Sequence, residues 1–198
     1  MAQPNRIRAD FNARSIIVYQ AYNDAIADAS LGTKRFAPPF SMARMTWIKP
    51  SFLWLMHRSN WGLKANQNRI LKVRITRAGW DEALAKGVLT GFEPRAHRDF
   101  STWQSAFEAA EVHVQWDPER TLRGADAGCN SIQVGLSRAI IEKFVQEWTL
   151  SIEDLTPLAR RMHTLLQAGQ AEKARRLLPP EREYEGDAEV ARRLAMSK

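Results

Sequence analysis

Apolar residues recur every second position through the first two-thirds of the chain, which is the spacing of half-buried strands. ARSIIVYQAY (13–22) is apolar and β-branched and reads as an early buried strand. SMARMTWIK sets Met42, Arg44, Thr46 and Ile48 on one side and Ala43, Met45, Trp47 and Lys49 on the other. RILKVRIT sets Ile70, Leu71, Val73 and Ile75 against Lys72 and Arg74. EVHVQWDPER reads as a strand that ends at Asp117-Pro118, and SIQVGL as a short one. Strands are therefore expected near 14–20, 42–48, 69–76, 111–117 and 131–135. Helices fall between them. NDAIADASLG has Gly32 as its stop, SFLWLMHRSN opens after Pro50 and closes at Trp61-Gly62, and AGWDEALAKG closes at Gly87. A further helix starts from an Asp99 or Ser101 cap, and SRAIIEKFVQEW starts from Ser137. TKRFAPPF, with two prolines, is an extended loop, and TLRGADAGCN a glycine-rich connection.

From Ser151 the period changes to that of a helix, with no strand signal and with stops at Gly169 and Pro179-Pro180. The expectation is an α+β fold: a mixed, mostly antiparallel sheet with packed helices and a helical C-terminal segment. Residues 1–150 form the core domain and 151–180 a helical pair packed on it. Residues 181–198 are charged, poor in large apolar groups, and expected to be a flexible tail.

Composition narrows the setting. A chain of 198 residues can bury a core without staples. Its 44% hydrophobic and 26% charged residues are ordinary for a soluble domain. One cysteine excludes an internal disulfide and a cysteine-based zinc cluster. No apolar run reaches the length of a membrane span, and MAQPNRIRADF has no signal-peptide core. A cytoplasmic protein without a membrane partner is expected. The net charge of +7 points to a polyanion, either nucleic acid or a nucleotide, or else serves solubility alone.

The candidate chemistry is concentrated in SMARMTWIKPSFLWLMHRSNWG. Trp54 sits mid-helix between Leu53, Leu55 and Met56, the position of a core residue. Trp47 or Trp61 can instead offer a flat ring to a nicotinamide, an adenine or a nucleic-acid base, with Arg44, Lys49 and Arg58 at its phosphates. The other reading of these cations is a solvated face. Arg14 opens the first long strand, and Tyr19, Gln20 and Tyr22 put hydrogen-bonding groups near its end. His113, Gln115 and Asp117 alternate onto one strand face, with Glu119 after the proline. A carboxylate there can orient a ribose hydroxyl or act as a base. There is no phosphate-loop motif, no G-x-G-x-x-G, no H-E-x-x-H and no G-x-S-x-G. The four histidines are dispersed, so no metal is expected.

Taken together, F-x-x-R-S-I-I-V-Y-Q-A-Y, the tryptophan-rich block, and S-I-Q-V-G-L-S with its helix resemble the domain of unknown function 4291 family, from about Arg6 to Tyr184. That resemblance implies no activity. The order of an arginine-led strand, a strand with Thr and an aromatic, and a later strand ending near a glutamate is similar to that of ADP-ribosyltransferases. This second resemblance implies NAD as cofactor, with Arg14 at its phosphate or ribose, Thr46 and Trp47 at the nicotinamide ribose, and Glu119 as the catalytic carboxylate. The chain lacks an S-T-S triplet and an E-x-E or Q-x-E pair. Two functions follow as expectations: NAD-dependent group transfer to nucleic acid or protein, or nucleic-acid binding without catalysis on the same basic, tryptophan-lined surface.

Overall fold

The computed structural model describes residues 3–197. In chain order its elements are β1 (Arg8–Ala9), β2 (Ser15–Tyr22), α1 (Asp24–Thr33), β3 (Thr46–Ile48), α2 (Phe52–Ser59), β4 (Arg69–Thr76), α3 (Arg77–Lys86), β5 (Gly87–Leu89), α4 (Phe100–Ala109), β6 (Val112–Arg120), β7 (Asp126–Leu136), α5 (Ala139–Lys143), β8 (Thr149–Asp154), α6 (Thr156–Gln167), α7 (Ala171–Arg175), β9 (Arg182–Glu183) and α8 (Ala188–Arg193). The strands form a three-stranded sheet in the order β2-β4-β8, a four-stranded sheet in the order β3-β7-β6-β5, and the pair β1-β9. Among these strands every pairing is antiparallel except β5 with β6. The fold is α+β with mostly antiparallel sheets, as the alternation predicts.

β2 explains why the first long strand is apolar on both faces. Ile16 and Val18 join Val73, Ile75, Val112, Val114, Val134 and Leu136 in one core. Ile17 and Tyr19 face the other way, into a second core with Phe52, Leu55 and Met56 of α2 and Met162 of α6. A strand covered on both sides loses the polar-out half of its pattern. Among the described residues the two sheets are joined at one backbone bond, from the Tyr19 N–H to the Lys49 carbonyl at 2.7 Å. On one side of that bond β2 and β3 carry no further backbone pairing, and side chains fill the gap between them.

Several expected boundaries shift. β3 covers only Thr46–Ile48, because Met42–Met45 have no strand to pair with and are exposed. α1 runs through Gly32 to Thr33, and Lys34, in left-handed backbone, forms its cap. Trp61 lies outside α2, which ends at Ser59. β6 continues through Pro118 to Arg120. β5 covers only Val112–Val114, so on that side of β6 nothing pairs with Pro118, and a proline there deprives no neighbour of a donor. The expected glycine-rich connection is half strand: β7 begins at Asp126, and only residues 121–125 turn the hairpin. Ser137 donates to the Glu111 carbonyl rather than capping α5, which passes directly into a π-helical turn over Phe144–Trp148.

The C-terminal third differs most. The segment from Ser151 begins in β8, which pairs with β4, so the first helix starts only at Thr156. α6 and α7 then form the helical pair. The tail is docked rather than flexible through its described residues. β9 pairs with β1, Tyr184 and Leu194 are fully buried, and the Trp116 indole N–H donates to the Leu194 carbonyl at 2.8 Å. Val190, Ala195 and Met196 pack against the same core, so a few apolar groups at the right spacing hold a segment whose average composition is charged.

Candidate functional site

Where β2 and β3 part, a cleft opens as two adjoining hollows of about 580 and 550 Å³, with Trp47, Lys49, Ala21 and Gln67 lining both. The backbone bond at Tyr19 fixes the strands, and beyond it Gln20 spans them. Its Nε2 donates to Thr46 Oγ1 at 2.7 Å and to the Trp47 carbonyl at 3.3 Å. The Tyr22 hydroxyl and Thr46 Oγ1 lie 2.8 Å apart. Because a carbonyl only accepts, the Trp47 contact fixes which end of the Gln20 amide is nitrogen. The other end, Oε1, is buried without a hydrogen-bond partner, although Gln20 lines the cleft. An orphan acceptor of this kind is costly unless a ligand or water meets it.

Trp47 stands on β3 directly opposite Gly135 of β7. A Cβ at Gly135 would lie 3.0 Å from two atoms of the indole and 2.7 Å from Met45 Sδ. The glycine therefore lets the ring lie close against the strand. Trp47 is half-buried, whereas Trp54, which also lines the cleft, is buried in the second core.

Charge collects beyond Trp47. Lys49 Nζ donates to the Trp47 carbonyl at 3.0 Å and lies 5.6 Å from the centroid of the Trp54 ring. Burial, and then the charge of Arg58, push its ammonium down to about 7, against the pull of Asp117. Asp117 is held by two amides, Gln115 Nε2 at 2.9 Å and Gln133 Nε2 at 2.7 Å. Arg58 and Arg120 complete this half, and Arg44 stands exposed at the rim of the other. The arrangement supplies an aromatic face, arginine forks, an amine that can gain or lose a proton near neutrality, and an oriented carboxylate.

Of the residues singled out in the sequence, Gln20, Arg44, Thr46, Trp47, Lys49 and Arg58 meet in this cleft. Four do not. Arg14 is exposed at the other end of β2, six residues and about 20 Å of strand from Gln20. The Tyr19 ring is fully buried against Phe52, and burial pushes its hydroxyl pKa upward. Trp61 lines a separate hollow, stacked on His163. Glu119 is buried in a third, with Arg8, Cys129 and Glu181. Its Oε1 accepts from the Arg120 backbone N–H at 2.7 Å. A β-strand turns successive side chains to opposite faces, so Asp117 and Glu119 share a face only if the strand is regular. The register shift between Pro118 and Arg120 breaks that regularity.

The sequence reading placed Gln115 and Asp117 on one face but missed Gln133, which stands opposite Gln115 on β7. Finding it requires the hairpin register, and the glycines of the turn hide where β7 begins. Among the described residues no group of three or more His, Cys, Asp or Glu could hold a metal ion. No helix among them is long and apolar enough to cross a membrane.

A search of curated proteins finds no match to this chain. A family model described as domain of unknown function (DUF4291) matches residues 6–184, a span that includes every residue of the cleft. The chain therefore belongs to the DUF4291 family.

Proposed function

We propose that the chain binds a phosphorylated nucleotide, with NAD as the candidate, in the cleft at Trp47 and Lys49, and transfers a group from it to an acceptor on nucleic acid or protein. The observation that carries this reading is the meeting of Trp47, Lys49, Arg58 and Asp117 around one cleft. An indole face takes a flat ring, and guanidinium forks take phosphate oxygens. Lys49 binds an anion best when protonated, so a phosphate near it would return the proton that burial removes.

In transfer of an ADP-ribosyl group, the bond between ribose C1′ and the nicotinamide nitrogen breaks and the nitrogen keeps the electron pair. An acceptor atom then bonds to C1′ and gives up its proton. The reading assigns that proton to Asp117, whose two amide contacts orient it in the cleft, in place of Glu119. The test is incubation of the chain with NAD and with RNA, DNA or protein acceptors, reading release of nicotinamide. Release that is lost in Asp117→Asn and kept in Glu119→Gln supports the reading, and the opposite pattern returns the role to Glu119.

Exposed Arg44 and Arg58 at the rim favour a second reading, nucleic-acid binding without catalysis. Oligonucleotide binding with no NAD binding would select it.

A further inference from the structure

Next to the cleft lies another hollow, of about 570 Å³, and His57 lines both. Its floor is a ready-made aromatic stack. The Trp61 indole and the His163 imidazole of α6 lie 5.9 Å apart at an interplanar angle of 15°. The edge of Phe52 supports the indole from the core side, 6.4 Å between centroids at 75°.

The backbone holds Trp61 there against its own preference. Asn60 has φ 50° and Trp61 φ 56°, two consecutive left-handed residues before Gly62. Left-handed backbone is uncommon for a residue as bulky as tryptophan. The turn is locked by the Trp61 N–H on the Met56 carbonyl at 2.8 Å and by the Lys64 N–H on the Ser59 carbonyl at 3.1 Å. Despite this the ring is only half-buried, so burial alone does not explain its placement.

The surroundings are basic. Arg123, from the β6–β7 turn, and His57 stand on the walls, and no carboxylate among the described residues lines the hollow. α6, which carries His163, also carries exposed Arg160 and Arg161 and no acidic residue.

We propose that this hollow is a base-stacking subsite for single-stranded nucleic acid. One base lies against Trp61 and His163, the flanking phosphates meet Arg123 and the α6 arginines, and the strand continues past His57 into the cleft. A flat, sequence-tolerant stack beside cations is the chemistry single strands use. A duplex keeps its base faces stacked on one another and cannot offer one to the indole. This choice of nucleic acid as the acceptor rests on the nucleotide reading of the cleft, but binding at the hollow can be tested apart from it.

The experiment titrates the full chain with labelled short oligothymidylate and oligouridylate, a matched duplex, and heparin, following anisotropy and tryptophan fluorescence. NAD titration of the same variants runs beside it. The expected result is single-strand binding at least about tenfold tighter than duplex binding, with Trp61→Leu and His163→Ala each weakening it at least about fivefold. Trp61→Phe retains most of the affinity, and NAD affinity is the same in all three variants. If Trp61→Leu does not fold, His163→Ala and Trp61→Phe carry the test. Unchanged oligonucleotide affinity in His163→Ala and Trp61→Leu overturns the proposal. So does heparin binding that matches single-strand binding at equal charge, or an absence of single-strand binding at low salt. Loss of NAD binding in the wild-type chain with single-strand binding intact would sink the cleft reading and leave this one standing.

Discussion

Lys49 Nζ donates to the carbonyl of Trp47, two residues earlier in the chain, at 3.0 Å, so the cleft's buried amine is tied to the strand that presents its indole. The bond steers the amine but does not neutralise it, and burial with Arg58 nearby holds its ammonium down to about 7. An anionic ligand favours the protonated form. Nucleotide affinity should therefore be flat below about pH 7 and fall above it, by up to about tenfold per pH unit until the pKa of the bound state is reached. Titration across that range checks this, and Lys49→Met should weaken binding at low pH and remove the slope. A slope that persists in Lys49→Met would assign it to another group.

Glu181 sets an opposite dependence on folding stability. Burial pushes its carboxyl up to about 8, against the Phe52 N–H that its Oε1 accepts at 2.8 Å, while Glu119 adds to the rise. The folded state then holds a proton that the unfolded chain releases near the ordinary carboxylate range. Stability from this group is complete below that range and is lost as pH rises through about 8. Lys49, depressed to about 7, has the reverse sign, since the unfolded chain holds the extra proton and stability rises with pH above 7. Thermal melts across pH should show Glu181→Gln flattening the acid-side fall and Lys49→Met flattening the alkaline-side rise. Parallel curves for wild type and Glu181→Gln would rule out that assignment.

The fold was legible wherever one strand face is wet or a strand is long. β4 alternates and β2 is a long apolar run, and both lie where expected. β1, β5 and β9, of two or three residues each, carry no period to read. β8 was hidden because Leu150, Glu153 and Asp154 put exposed and charged groups on an edge strand. The cleft was half legible. Arg44, Thr46, Trp47, Lys49 and Arg58 are close in sequence, and they meet. Gln20, Asp117 and Gln133 come from three strands whose convergence depends on the Tyr19–Lys49 bridge, and no local pattern encodes it.

The tryptophans should separate by role. Trp54 packs in the second core with 7% of its surface exposed, so Trp54→Ala should cost about 3–5 kcal/mol of stability. Trp47→Ala should cost less stability and more ligand affinity. Gly135→Ala offers a gentler probe, since its methyl would push the indole from its seat. Chemical denaturation beside ligand titration reads all three variants. Equal stability losses for Trp54→Ala and Trp47→Ala, with affinity untouched, would make both rings core.

The exposed cations should report through salt. If Arg44 and Arg58 meet phosphates, removing either one should lower the slope of log affinity against log salt by about 0.7–0.9 for an oligonucleotide ligand. Arg44→Ala and Arg58→Ala should therefore bind more weakly at low salt and converge on wild type at high salt. Identical slopes in all three proteins would leave these arginines as solvated surface.

Nucleotide binding in the cleft is read by calorimetric titration of NAD into the wild-type chain, Trp47→Ala and Gln20→Leu. Saturable binding to wild type is expected, at least about tenfold weaker in Trp47→Ala, which loses the stacking face, and weaker also in Gln20→Leu, which loses the amide that ties Thr46 and the Trp47 carbonyl to β2. An absence of binding to the folded wild-type chain, or equal affinity in all three folded proteins, would contradict it.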